Sequence, residues 1–324
     1  MADVVTFGEG MLRLSPPGHQ RFEQARALET WSAGAELNVA VGLARLGTSA
    51  AWVSRLPLNP LGRLVAGAAR AAGVDVTGVR WSEGGRLGLY FVEVGSPPRP
   101  STAFYDRAGS AFATLEAAEF DWPELLHGAR VFHTTGITAA LSEGCASAAA
   151  EALAAARAAG CRTSYDVNFR ARLGAPDRWR ERAEQVAGDV DILLASAEDA
   201  AAVFGVRGEP VDVADELRTL LGVGSVVVSS RLRENGLQRR ISAAAGEEFE
   251  SVLSPPFAAV DPVGGGDAFC AGLLHGLLEG GIRRGLELGA AAAALKQSIP
   301  GDVPLLDREE VETLVAGDTV GMSR

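Results

Sequence analysis

The sequence predicts an α/β protein: a parallel sheet covered by helices on both faces, with a smaller β insertion. Three observations carry that expectation. Short apolar runs alternate with Ala-rich helical stretches along the chain. Glycines stand where several helical stretches must stop, as Gly47, Gly73 and Gly160 do. The rhythm breaks twice, over residues 8–31 and 86–107, where prolines and alternating apolar residues replace the helix that should follow a strand.

In chain order, residues 4–7 read as the first strand. Residues 37–46 form an amphipathic helix closed by Gly47, and residues 50–54 return as a strand. Residues 61–72 are helical up to Gly73. Residues 129–134 are a strand and 143–159 a helix ending at Gly160. Residues 163–167, 192–195 and 225–229 are further strands, and 268–278 and 284–297 are two late helices. Parallel strands joined by right-handed crossovers bring the loops at their C-terminal ends together, where ligands of such sheets bind. The stretch 86–107 reads as two strands joined by a proline-rich turn. Leu87, Leu89, Phe91 and Glu93 fall on one face, and Gly88, Tyr90, Val92 and Val94 on the other.

Composition narrows the function. The 324 residues are 47% hydrophobic and 22% charged, too apolar for a disordered chain. The net charge of −11 argues against binding a nucleic-acid backbone, though not against a local basic pocket. No stretch is long and apolar enough to span a bilayer, and the start MADVVTFGEG lacks the layout of a secretion signal, so a cytoplasmic protein is expected. Cys145, Cys161 and Cys270 follow no metal-ligand spacing and read as buried small hydrophobes. The 39 glycines and many alanines suggest close helix packing. The length suits two small domains, or one large α/β domain with an appendage.

The sharpest chemical signal is Asp261-Pro262-Val263-Gly264-Gly265-Gly266-Asp267, which runs into an apolar helix. Glycines at a helix start leave backbone N–H groups uncovered, where the helix dipole adds partial positive charge: an anion site. Asp267 in the same turn can take a proton from an attacking hydroxyl while those N–H groups stabilise a phosphoryl group. A glycine-rich turn with Asp267 as the helix N-cap explains the segment equally well. Neither the Walker A pattern nor GxGxxG occurs there.

DPVGGGDAFCAGLL resembles the C-terminal signature of the ribokinase-like (PfkB) carbohydrate kinases, and WSAGAELNVAVGLARLG resembles their N-terminal one. FGEGMLRLSPPG, LGLYFVEVG, FYDRAGSA, HTTGITAALS, YDVNFRARL and LKQSIPGDVP resemble the 2-keto-3-deoxygluconate kinases of that family. They span nearly the whole chain in the expected order. The resemblance implies a three-layer α/β/α sandwich over residues 1–316. Its small β-sheet lid comes from about 8–31 and 86–107, and a tail occupies 317–324. It implies phosphoryl transfer from ATP with Mg²⁺ to the C6 hydroxyl of 2-keto-3-deoxygluconate. Asp267 is the implied base, and the amides of Gly264, Gly265 and Gly266 the anion hole.

Arg107 and Arg170 match positions that hold the substrate carboxylate, and an arginine fork suits that group. A surface salt bridge is the alternative for either. Gly34, Asn38, Tyr90, Tyr105 and Ile137 match other substrate positions; helix capping by Asn38 and plain hairpin packing by Tyr90 remain open. Asn168, Ser196 and Asp199, with Gly264 and Gly266, fall on the cofactor side. Glu198 and Asp199 are candidates to hold Mg²⁺ through water.

Three departures from the family pattern stand out. Ala33 replaces the first glycine of a hinge pair. Ser196-Ala197-Glu198-Asp199 replaces Asn-x-x-Glu. Residues 229–236 lack the usual Thr-x-Gly-x-x-Gly nucleotide loop, so its contacts do not carry over, and Arg231 or Arg233 is a candidate to face phosphate instead. His133 reads as a buried, satisfied histidine, residues 178–182 as a solvated helix face, and Arg239-Arg240 as uninformative. The expected partners are a small sugar acid and ATP, and the resemblance allows a homodimer or a higher homo-oligomer formed through the lid. A kinase of a neutral sugar, and a non-catalytic binding descendant, are the rival readings.

Overall fold

The computed structural model describes residues 1–96, 98–234 and 236–317, the side chain of Glu234 excepted. The chain runs β1 (Val4–Phe7), β2 (Met11–Ser15), β3 (Glu29–Ala33), α1 (Ala35–Leu46), β4 (Ala50–Pro57), α2 (Pro60–Ala71), β5 (Val79–Ser82), β6 (Gly88–Glu93) and β7 (Thr102–Asp106). It continues with α3 (Trp122–Leu125), β8 (Val131–Thr135), α4 (Gly136–Leu141), α5 (Glu143–Ala158), β9 (Arg162–Asp166), α6 (Pro176–Val186), β10 (Ile192–Ser196), α7 (Ala197–Asp199) and α8 (Pro210–Leu221). It closes with β11 (Ser225–Glu234), β12 (Leu237–Ala245), β13 (Phe249–Leu253), α9 (Gly265–Glu279), α10 (Ile282–Lys296) and α11 (Arg308–Val315).

Nine strands form one sheet in the order β13-β12-β11-β10-β9-β8-β1-β4-β5. Neighbours from β11 to β5 pair in parallel, as expected, whereas β12 and β13 add antiparallel at one edge. That edge corrects the expectation of a wholly parallel sheet. β11 does not stop at residue 229 but runs on to 234, and residues 229–234 pair antiparallel with residues 237–242 of β12.

Alternation along each strand sends successive side chains to opposite layers. Val5, Phe7, Phe132, Leu193 and Val226 pack with α5, α6 and α8 through Leu153, Ala183 and Leu217. Val4, Val131, Leu194 and Val227 pack with α1, α9 and α10 through Leu43, Leu273 and Leu286. The small-residue usage has a use here. A Cβ on Gly272 of α9 would lie 2.6 Å from the Leu288 carbonyl oxygen of α10, so these helices touch backbone to backbone. The three cysteines are buried and unbridged.

The two irregular stretches meet in a second sheet of order β3-β2-β6-β7. Tyr90 and Val92 turn inward with Met11 and Ala33. Phe22, Phe91 and Phe104 cluster on the other side, the Phe91 and Phe104 rings stacked 4.7 Å apart. Residues 178–182 are not a wholly solvated face: Trp179 is 3% exposed and packs edge-on to Phe169, because α6 turns one face onto the sheet. The expected tail lies outside the described residues from 318 onward, with α11 ending at Val315.

Candidate active site

Parallel register lines up the strand ends that build the site. Thr135 pairs with Asp166 across β8 and β9, and Ser196 with Ser229 across β10 and β11. Above these ends lies a cavity of about 520 Å³, closed on one side by the second sheet and on another by the N-terminus of α9. Gly34, Asn38, Tyr90, Tyr105, Arg107, Ile137 and Arg170 line it, as do Asn168, Ser196, Glu198, Asp199, Gly264, Gly266 and Asp267. Gly265 is the exception among the sequence candidates: it is buried, its Cβ position against Gln297.

The glycine loop resolves the question of the cap. Gly264, at φ 80°, is the N-cap of α9, so the helix starts three residues earlier than expected and Asp267 belongs to its first turn. A Cβ on Gly264 would lie 2.1 Å from the Asp302 carbonyl oxygen, which with the positive φ makes the position glycine's. The first backbone bond of the helix is donated by Ala268, which leaves the amides of the preceding turn free of helical partners. Asp267 is open to the cavity but otherwise surrounded by protein. Desolvation raises its pKa to about 6, against the lowering by Asn38, Arg170 and Lys296, so it is ionised at neutral pH.

Asn38 is not a cap; Gly34 holds that place, and Asn38 sits one turn into α1. Its Nδ2 donates to Asp267 Oδ2 at 2.7 Å, while its Oδ1 is buried without a partner. Gly34, at φ 148°, passes so close to Glu9 that a Cβ would lie 2.2 Å from that residue's carbonyl oxygen. The backbone demand for glycine therefore falls on Gly34, and Ala33 stands in extended, buried backbone that accepts its side chain.

Arg107 makes no surface salt bridge. Its Nε donates to Glu9 Oε2 at 2.7 Å, and its Nη2 and the Ser110 hydroxyl also reach the buried Glu9 carboxylate. Arg170 is exposed and its guanidinium bonds only the Phe169 carbonyl; it has no ion pair among the described residues. Tyr90 stacks on Tyr105 with centroids 5.2 Å apart, and its hydroxyl donates to Asp302. Asp302 is also bound by Arg13 at 2.8 Å, and Arg13 grips Asp261 at 2.7 Å. A fully buried arginine on β2 thus ties the second sheet to the start of the glycine loop.

At the other end, Ser196 and Asp199 form a reciprocal capping box at the start of α7, and Glu198 pairs with Arg231 at 3.3 Å. Asp166 is strongly perturbed: burial, then Asp199 and Asp267, push its carboxyl up to about 8. Asn168 is the one non-glycine residue at positive φ (46°) among those described, and its N–H bonds Asp166 Oδ1. Arg240 is not uninformative. It lines the cavity beside Arg231, its Nε is buried without an acceptor, and burial with that neighbouring charge lowers its pKa. Arg231 lines the cavity and Arg233 does not. His133 is buried against Ser164, and desolvation lowers it to about 3. No group of three metal-ligating side chains occurs among the described residues, and no helix among them is long and apolar enough to cross a membrane.

Sequence reasoning missed Glu9, Arg13, Asp166, Arg240, Lys296 and Asp302 as site residues. Most of them lie inside the quoted motifs, but Arg13 and Asp302 are 289 positions apart and nothing in their spacing shows that they pair.

Fold and site together define a ribokinase-like α/β kinase, and the chain belongs to the pfkB family of carbohydrate kinases, whose family model matches residues 1–304. It is similar to the 2-dehydro-3-deoxygalactonokinase of Haloferax volcanii, 40% identical over 100% of this chain and 99% of that protein. It is also similar to the 2-dehydro-3-deoxygluconokinase of Thermoproteus tenax, 31% identical over 98% of this chain and 95% of that protein. The crystal structure of 2-dehydro-3-deoxygluconokinase from Thermotoga maritima superposes with a TM-score of 0.90 at 37% identity, covering 97% of this chain and 98% of that one.

Proposed function

We propose that this carbohydrate kinase transfers the γ-phosphoryl group of ATP to the C6 hydroxyl of 2-keto-3-deoxygluconate. The observation that carries the reading is one cavity that holds an ionised carboxylate, Asp267, at the free amides of a helix N-terminus, and an arginine, Arg170, that has no ion pair among the described residues. An acidic protein that leaves such an arginine facing a cavity offers it to an anion.

In this reading Asp267 accepts the C6 hydroxyl proton on Oδ1, since Oδ2 is engaged by Asn38. The sugar oxygen bonds the γ-phosphorus, the bond to the β-phosphate oxygen breaks, and ADP leaves with that electron pair. The amides of Gly264 and Gly266 face the developing charge. Arg170 and the remaining N–H groups of Arg107 hold the carboxylate end, and the unpaired Oδ1 of Asn38 accepts a substrate hydroxyl. Arg231 and Arg240 lie where nucleotide phosphates would pass. Mg²⁺ supplies charge neutralisation for the phosphates when bound. Asp166, Asp199 and Glu198 would hold it through water, which fits the high pKa of Asp166, a carboxyl crowded by like charge. The second sheet acts as a lid that excludes water, the competing acceptor. Its outer aromatic face, with Phe104 46% exposed, is the proposed contact for a second copy.

The C4 epimer, 2-keto-3-deoxygalactonate, is the second reading, favoured by the Haloferax volcanii relative. ADP release measured with MgATP and a panel of both keto acids, D-fructose and D-ribose tests the proposal. Turnover of the gluconate-derived acid well above the others is expected. Equal turnover of a neutral sugar removes the carboxylate claim, preference for the epimer reassigns the substrate, and binding without ADP release removes the kinase.

A further inference from the structure

Lys296, the last residue of α10, is 0% exposed and does not line the cavity. Its Nζ donates to the Ile299 carbonyl at 3.1 Å, and it has no other hydrogen bond and no ion pair among the described residues. Burying an ammonium without a contacting carboxylate costs several kcal/mol, so a stabilising role does not account for it. Its location does. The place a Cβ would take on Gly264 lies 3.2 Å from Lys296 Cε, so the lysine stem packs against the back of the glycine N-cap of α9. The turn that follows Lys296 is tied to the same loop. Val260 and Asp261 donate backbone bonds to Gln297, and Gly301 donates to Asp261 Oδ2 at 3.0 Å.

We propose that Lys296 is a positioning residue: a built-in cation behind the Gly264–Gly266 backbone that adds to the positive end of α9 where phosphoryl charge develops, and that joins Asn38 and Arg170 in favouring the Asp267 carboxylate. The inference rests on the kinase reading. The charged groups that face the lysine are Asp261 from the loop, Asp267 from α9, Arg13 from β2 and Arg13's partner Asp302 from the turn. Burial lowers its pKa to about 8, with Asp261 and Asp267 opposing and Arg13 reinforcing that shift. Its charge in turn lowers Asp267. The loop's positive potential therefore weakens as pH rises through about 8.

The test is the pH profile of kcat and KM for the wild type, Lys296→Met and Lys296→Ala, with MgATP and whichever sugar the wild type turns over. Lys296→Met should lower kcat by roughly ten- to hundred-fold, with the sugar KM nearly unchanged. Its acid limb, near pH 6 in the wild type, should move to higher pH, because removing a cation disfavours the Asp267 carboxylate. Its alkaline limb near pH 8 should vanish. Methylammonium should restore part of the Lys296→Ala rate. A lysine that only braces the fold would lower Tm while kcat and both limbs stay in place, and that result overturns the proposal. If neither variant folds, the wild-type profile decides: a missing alkaline limb overturns it. A wild type that phosphorylates no sugar refutes the kinase reading instead, and that outcome is separate.

Discussion

The two ends of the cavity handle charge in opposite ways. At the end proposed to hold the sugar, the buried charges are already partnered: Arg107 by Glu9, and Arg13 by Asp261 and Asp302, with the Tyr90 hydroxyl also donating to Asp302. At the phosphoryl end Asp166, Asp199 and Asp267 crowd one another, and Arg240 keeps a buried Nε–H without an acceptor. The first end is organised before any ligand arrives and so can fix the shape and orientation of the sugar. The second is electrostatically unfinished, and a polyanion with its cation would complete it. Preorganisation and frustration are divided between the two ends, with Asp267 at the junction.

The strongest way to break this comparison is at the junction. Asp267→Asn keeps the Asn38 neighbourhood but removes the base, so kcat should fall by about 10²–10⁴, while titration calorimetry still detects ATP. A drop of less than ten-fold would mean that Asp267 is not the group that accepts the proton. At the organised end, Arg13→Met strands the Asp261 and Asp302 carboxylates, 4% and 5% exposed. Urea unfolding should show a loss of about 3–5 kcal/mol. Part of it should return as pH falls, from above pH 6, since Asp302 is already raised to about 6 with Arg13 in place and loses that lowering charge in the variant.

The unfinished end should respond with the opposite sign. The folded-state pKa of Asp166 is about 8, above its unfolded value, so the folded protein binds that proton more tightly. Its contribution to stability is present at low pH and is lost as pH rises through about 4 to 8. Asp166→Asn should therefore flatten the decline of Tm over that range and raise Tm at pH 8, while slowing ADP formation. A lower Tm at pH 8 would show that the site is not strained. The smallest effect belongs to the αL residue beside it. Asn168→Gly should leave stability nearly unchanged, whereas Asn168→Val should cost about 1–2 kcal/mol in the same urea assay.

Much of the architecture was legible in the sequence because it rests on local physics. The glycine stops at Gly47 and Gly160, the period-2 strands and the proline-rich break at 86–107 all depend on residues close in sequence. The glycine loop was legible too, but its cap was not. Whether Gly264 or Asp267 begins α9 is settled by the backbone of Asp302 pressing from outside. The antiparallel pairing of β11 with β12 was hidden for a related reason. Residues 229–234 are polar except for Leu232, so they carry no apolar strand pattern, and only pairing with 237–242 makes them a strand. The partners of Arg107 and Arg13 and the burial of Lys296 are long-range facts that no local pattern carries.

The central claim is that the cavity's unpaired arginine selects an anionic sugar. The direct measurement is the ratio of kcat/KM for 2-keto-3-deoxygluconate to that for D-fructose, in the wild type and in Arg170→Ala. The account predicts a large ratio that collapses by at least roughly ten-fold in the variant, with fructose turnover retained. A wild-type ratio near one, or an Arg170→Ala variant that loses both sugars in proportion, would contradict it.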